Sequence, residues 1–383
     1  MDLREEVVLM HITEDILKRL ININSTNLPG NEMDMVKEIL KFFPDSVNHE
    51  IIDHGNNRGS LIIEVEGAKK EKIGFIGHID TVPVSDEESW EYPPFEGIIK
   101  DGYMYGRGTS DMKGGVTAMI KTALHFIENN VTPNYTLKFV FTADEESGGL
   151  GVRTLRDKGL LQDLSKVFIT EPSDEEIGIC EKGTLWLNVS IKGKSAHGSK
   201  PYLGINAIEN LYEYIDRLKN TLDLEKTHLF LGSSSFATTT IKGGVKTNII
   251  PEDAKATLDI RTIPGFSHEE IIENANKIAK DMENENQGMV IQVVVENDRP
   301  PLTMDKEDDF IKEIEKVFNK LSYPVKYKGI NFYTDASQLI PYHNIPFVIL
   351  GPGEENMCHQ KNERIKIESI DKMTKFYISY ITD

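Results

Sequence analysis

The chain has 383 residues, 39% hydrophobic and 27% charged, with a formal net charge of −19, which is globular composition in a chain longer than one hydrophobic core usually supports. The acidic balance excludes the basic patches that nucleic acid or an anionic membrane surface requires, so neither partner is expected. The acidic opening Met1-Asp2-Leu3-Arg4-Glu5-Glu6 is unlike a signal peptide, no run approaches a spanning helix, and Cys180 and Cys358 form no CxxC pair, so a reduced, cytoplasmic setting is expected.

In chain order, Glu14 to Ile21 reads as a helix capped by Thr13, and Met33 to Phe43 as a second. Buried runs at 61–65, 73–77, 136–142 and 166–170 read as strands, with a helix from Lys113 to Ile127 between them. That alternation predicts an α/β domain whose mixed, largely parallel sheet carries helices on both faces.

The pattern then changes. Thr184 to Ile191 alternates as a half-buried strand, and Ile205, Ile208, Leu211, Tyr212, Ile215 and Leu218 recur at helical spacing. Strands follow near 235–241 and 254–262, joined by a turn around Gly243-Gly244, then a helix from His268 to Asp281 and a strand from Met289 to Val295. The order β-α-β-β-α-β is that of a ferredoxin-like α+β unit. Asn297-Asp298-Arg299-Pro300-Pro301 reads as a return linker, before a helix from Asp308 to Leu321 and a strand at 346–350. The expected division is a catalytic domain at 1–177 and 297–383, with an inserted domain at 178–296.

Acids and histidines follow the apolar runs. His78-Ile79-Asp80 ends one strand, and Asp80 suits the carboxylate that orients a ligating imidazole. Asp144-Glu145-Glu146 ends another. Like charges beside a core repel unless a cation sits among them, and adjacent glutamates suit one metal ligand and one general base. Glu171 follows a third strand and His359 trails a fourth. Gly106-Arg107-Gly108-Thr109-Ser110-Asp111 fails as a dinucleotide loop, because Asp111 stands at the third glycine position and would repel a pyrophosphate. Asp111 suits either a carboxylate bridging two cations or a helix N-cap. Gly193-Lys194-Ser195 fails as a P-loop, since Asn188 occupies the first glycine position. Mixed imidazole and carboxylate ligation suits zinc, with cobalt or manganese as alternatives.

The segments Gly77 to Pro83, Gly106 to Gly115, Ala143 to Gly149 and Thr170 to Asp174, followed by His359, occur in one order. In that order the chain resembles the co-catalytic metallopeptidase and deacylase family of acetylornithine deacetylase, succinyl-diaminopimelate desuccinylase, aminoacylase and carboxypeptidase G. The resemblance implies that His78, Asp111 and Glu171 hold one divalent metal, and Asp111, Glu146 and His359 a second. It implies Glu145 as general base and Asp80 as the group orienting His78. Gly193 to Pro201 resembles the family's lid segment, placing His197 near the developing oxyanion, while Asn248 and Arg261 match substrate-binding positions. Met357-Cys358 departs from the small residue usual before the last histidine. The implied activity is two-metal hydrolysis of an N-acyl amino acid, with a carboxypeptidase or dipeptidase as the alternative. The inserted domain would serve as a lid and join two subunits as a homodimer.

Overall fold

The computed structural model describes residues 3–383, with side chains from residue 12, so the start at Met1 and Asp2 lies outside the described residues. The chain divides into two compact units: Met1–Cys180 with Thr303–Ile330 and Thr334–Asp383, and Glu181–Leu302 with Asn331–Tyr333.

The first unit begins with α1 (Leu3–Ile21), α2 (Glu32–Leu40), β1 (Asn48–Gly55), β2 (Arg58–Val65) and β3 (Lys69–His78). It continues with α3 (Gly114–Glu128), β4 (Tyr135–Thr142), α4 (Leu150–Asp157), β5 (Leu164–Ile169) and β6 (Ile177–Glu181). The second unit carries β7 (Gly183–Lys192), α5 (Ala207–Lys219), β8 (Ser235–Gly243), β9 (Asp253–Thr262), α6 (His268–Glu285) and β10 (Val290–Arg299). The first unit then resumes with α7 (Asp309–Lys320), α8 (Ala336–His343), β11 (Phe347–Ile349) and α9 (Ile367–Thr382).

The fold is mixed α/β. The large sheet runs β1-β2-β4-β3-β5-β11-β6. Its middle strands β4, β3, β5 and β11 are parallel, while β1, β2 and β6 pair antiparallel. Strands covered on both faces read as continuous apolar runs, and the carboxyl-terminal part of β3 and nearly all of β4 are buried. Phe75 on β3 stacks on Phe139 of β4 and Phe168 of β5, with centroids 5.2 and 5.0 Å apart. Phe168 in turn meets Phe310 of α7 and Tyr377 of α9 edge-on. This packing fixes the strand ends that carry the site.

The small unit's sheet runs β8-β9-β7-β10 with every pair antiparallel. Leu185, Leu187, Val189 and Ile191 of β7 point to one face, where Leu211 and Tyr214 of α5 and Ile271 and Ala275 of α6 complete a core. Asn206 and Ser267 cap the two helices through their side chains.

Several sequence expectations change. Thr13 lies inside α1 rather than at its start, and its buried hydroxyl donates to Asp371 at 2.5 Å. Asn297 to Arg299, read as linker, continue β10 and pair with β7 beyond a bulge between Val295 and Asn297. Strands β8 and β9 are joined by a longer excursion through residues 244–252, in which Ile249–Ile250 pairs with Ala196–His197. Strands β1 and β6 and helices α4, α8 and α9 had no counterpart in the sequence reading.

Candidate metal centre

The parallel strands deliver their chemistry at one end. His78 is the last residue of β3, Asp144-Glu145-Glu146 follow β4, Glu171 follows β5, and β11 leads toward His359. Ligands of open α/β sheets bind outside the carboxyl ends of such strands. Gly77 keeps β3 close to its neighbours: a Cβ there would come within 2.8 Å of Met112 and 2.9 Å of Thr170.

Asp111 lies at the middle of the cluster. One oxygen is 3.0 Å from His78 Nε2, and the other 3.3 Å from His359 Nε2. His78 Nε2 is also 3.5 Å from Glu171, and His359 Nε2 is 3.0 Å from Glu146. His78, Glu145 and Glu171 offer ligand-type atoms within 4.8 Å of one another, as do His78, Asp111 and Glu146. His78, Asp80, Asp111, Glu145 and Glu171 are buried, whereas the His359 side chain is 53% exposed.

Asp80 anchors the turn after β3. Its carboxylate accepts from the backbone N–H of Glu145 and Glu146 and from the Asn27 amide. His78 Nδ1 lies 3.0 Å from the Asp80 main-chain carbonyl and 3.6 Å from its carboxylate. With its proton held on Nδ1 by that carbonyl, the ring would offer Nε2 to a cation among the acids. Asn27 also donates to Asp144, which Arg58 holds at 2.8 Å. Asn27 and Arg58 escaped the sequence reading; both lie far from the motifs in the chain, and neither is a ligand-type residue.

The electrostatics describe a cation-binding field. Burial pushes Glu171 up, His78 opposes, and the neighbouring acids raise it further, to well above the usual range. Burial likewise raises Glu146, reinforced by Asp111. Hydrogen bonds to Asp111 and Glu146 push His359 up to about 11. Burial opposes protonation of His78, but Glu171, Asp111 and Asp80 outweigh it. More carboxylates than imidazoles converge, and Glu146 Oε1 and Glu171 Oε2 are buried without a hydrogen-bond partner among the described residues. Buried carboxylate oxygens left so are costly unless a cation or proton meets them. This donor set fits two divalent cations.

The remaining candidates lie in the small unit. His197 is exposed, with Nδ1 2.8 Å from the Ser199 hydroxyl, and pairs in register with Ile249. Gly198 N–H donates to the Asn248 carbonyl at 2.9 Å, bringing Asn248 beside His197. Arg261 uses Nε and Nη2 on the Asp259 carboxylate and Nη1 on Thr184. A guanidinium carries more N–H donors than these contacts consume.

A family model described as Peptidase family M20/M25/M40 matches residues 74–383. An uncharacterized metallohydrolase of Methanocaldococcus jannaschii is 31% identical, over 98% of this chain and 99% of that protein. A protein of Staphylococcus epidermidis named probable succinyl-diaminopimelate desuccinylase is 27% identical, over 96% of this chain and 94% of that one. Among solved structures, an aminopeptidase of Bacillus cereus aligns with a TM-score of 0.76 at 23% identity, covering 97% and 98%. A Bacillus subtilis protein described as a dinuclear metal-binding peptidase aligns at 0.73 and 17% identity, covering 98% of each chain. At those identities the two structures show a shared fold.

Proposed function

The chain belongs to peptidase family M20/M25/M40 and is a metal-dependent hydrolase of amides or peptides, and on that premise we propose that it removes the acyl group from an N-acyl amino acid, as a desuccinylase-like deacylase. The observation that carries the reading is the convergence of His78, His359, Glu146 and Glu171 on Asp111, with buried oxygens of Glu146 and Glu171 unsatisfied. His78, Asp111 and Glu171 would hold one cation, and Asp111, Glu146 and His359 the other. Zinc suits this mixed ligation, with cobalt or manganese as alternatives. Such cations supply Lewis acidity, polarising the amide carbonyl and acidifying the attacking water.

The chain's own groups do the rest. The Glu145 carboxylate takes a proton as the water oxygen bonds to the carbonyl carbon, then delivers it to the nitrogen as the C–N bond breaks. The products are a carboxylic acid and an amine. Asp80 keeps His78 and the two glutamates in register through the three hydrogen bonds its carboxylate accepts and through its main-chain carbonyl. His197 donates to the developing oxyanion, Asn248 helps seat the substrate, and Arg261, pre-oriented by Asp259, grips the α-carboxylate with its remaining N–H groups.

The small unit, with its β-α-β-β-α-β order, is proposed as a ferredoxin-like lid that also joins two copies. Its edge strand β8 is exposed along nearly its whole length, which supports pairing. Neither Cys180 nor Cys358 is in a disulfide, which suits a reduced, cytoplasmic setting.

The test is hydrolysis of N-succinyl and N-acetyl amino acids beside dipeptides, using protein reconstituted with zinc, cobalt or manganese. Release of acid from the acylated substrates is expected to be fastest. Faster turnover of dipeptides would replace the deacylase by an exopeptidase, and failure on both classes would remove the reading.

A further inference from the structure

The Gly106–Asp111 turn holds a group that the mechanism above does not use. Glu363 is fully buried, and its carboxylate sits inside a ring of donors. One oxygen accepts from the backbone N–H of Ser110 at 2.8 Å and of Asp111 at 3.0 Å. The other accepts from the N–H of Gly108 at 2.9 Å and from Arg107 Nη1 at 2.7 Å. A run of main-chain N–H groups turned toward one anion makes a nest, and here the anion is built into the protein.

The turn cannot hold this shape unaided. Gly108 has φ 85, in the left-handed region that favours glycine, and a Cβ there would lie 2.6 Å from Thr81 Cγ2. Asp111 itself departs from helical geometry, at φ −116 and ψ 95, just before α3 begins. With Glu363 removed, buried N–H groups of Gly108, Ser110 and Asp111 would lose their acceptor, which proteins rarely tolerate. Glu363 also follows His359 on the same loop. That loop therefore grips Asp111 twice: His359 meets its carboxylate, and Glu363 holds its main chain.

We propose that Glu363 is a positioning residue that fixes the Asp111 main chain so that both carboxylate oxygens face the paired cations. The inference rests on the two-cation reading of the site and adds a residue that touches neither cation nor substrate. A carboxylate bridging two cations must present its oxygens at a fixed angle. Its side-chain torsions can supply that only if the backbone they start from does not move.

The experiment compares wild type, Glu363→Gln and Glu363→Asp by calorimetric zinc titration against a competing chelator, on protein shown by circular dichroism to be folded. Glutamine keeps the volume but offers one acceptor oxygen, so its amide nitrogen faces two of the four donors. Aspartate keeps the charge but falls short by one methylene. Both are expected to weaken zinc binding at least ten-fold, and to alter the visible spectrum of the cobalt-loaded protein. A merely structural role would lower the unfolding midpoint and leave the affinity of the folded protein unchanged, and that result overturns the proposal. Wild type that binds no zinc would instead overturn the two-cation reading. Hydrogen exchange on metal-free wild type gives a test that needs no variant. The amides of Gly108, Ser110 and Asp111 are expected to be protected before any metal is added. Exchange as fast as an open loop, slowed only by zinc, would also overturn the proposal.

Discussion

The two units hold their proposed site residues in opposite ways. In the large unit His78, Asp80, Glu145 and Glu171 are buried at or just after strand ends and Asp111 in the turn before α3, and each depends on others for compensation. In the small unit His197 and Asn248 are exposed, and Arg261 is only partly covered, held by its neighbour Asp259 two residues back on β9. Buried ionisable groups are costly singly and tolerable as a set, whereas exposed ones cost little to keep or remove. The large unit therefore couples chemistry to stability, and the small unit separates them.

The largest expected effect follows from that coupling. Chelation should abolish hydrolysis, and zinc, cobalt or manganese should restore it. Hydrogen exchange should quicken around His78, Glu145 and Glu171 on metal removal while Leu185 to Ile191 stay protected, because those form the small unit's own core. Full activity in protein free of transition metal by elemental analysis would break the comparison at its root.

Within the large unit, Glu145→Gln should cost ~10²–10⁴-fold in rate, the usual worth of a general base, while two cations per chain remain by elemental analysis. Glu146→Gln should instead lose one cation. The reverse pattern would exchange the two roles. In the small unit, His197→Ala should cost ~10²–10³-fold as a lost oxyanion donor. Its unfolding free energy should stay within about 0.5 kcal/mol of wild type, as for other exposed positions. A large loss of stability with unchanged rate would make His197 structural.

Arg261→Lys should have a smaller, selective effect. Lysine cannot copy a planar fork, so substrates with a free α-carboxylate should lose roughly ten-fold in kcat/KM, the worth of about one strong charge-assisted hydrogen bond. A substrate amidated at that carboxylate should be spared. Equal losses on both would show that the bonds to Asp259 and Thr184 are all that Arg261 does.

His78, Glu145, Glu146, Glu171 and His359 stood out because each trails an apolar run, and Asp111 because its glycine-rich turn precedes an apolar helix, while β3, β4, β5 and β11 were legible as runs because burial on both faces removes polar interruptions. Strand β1 was not, since an edge strand with most residues exposed shows neither a run nor alternation. Helix α9 buries Ile370, Met373, Phe376, Tyr377, Tyr380 and Ile381 at helical spacing, a period that the sequence reading left unassigned. Glu363, Asn27 and Arg58 were illegible for a different reason. Their work is hydrogen bonding to main-chain groups or to carboxylates distant in the chain, which leaves no pattern of residue types.

The smallest expected effect isolates what burial does to a charge away from the metal centre. Lys121 of α3 is buried, and its ammonium donates to the Thr13 hydroxyl on α1 and the Asp371 carboxylate on α9. Burial holds its pKa below the usual 10.5, with Asp371 opposing. The unfolded chain keeps this proton up to 10.5, so between the lowered value and 10.5 it binds more protons than the folded protein. Stability contributed by Lys121 therefore rises with pH across that window, and the cost of the buried charge is fully present below it. Lys121→Met removes the titration, so subtracting its stability profile from that of wild type should leave a difference that rises toward pH 10.5. Urea unfolding at a series of alkaline pH values measures this, and the slope rather than the absolute stability is the readout, because the variant also loses two hydrogen bonds. Parallel profiles would mean that Asp371 compensates Lys121 fully, and that the large unit can bury a charge as cheaply as the small unit exposes one.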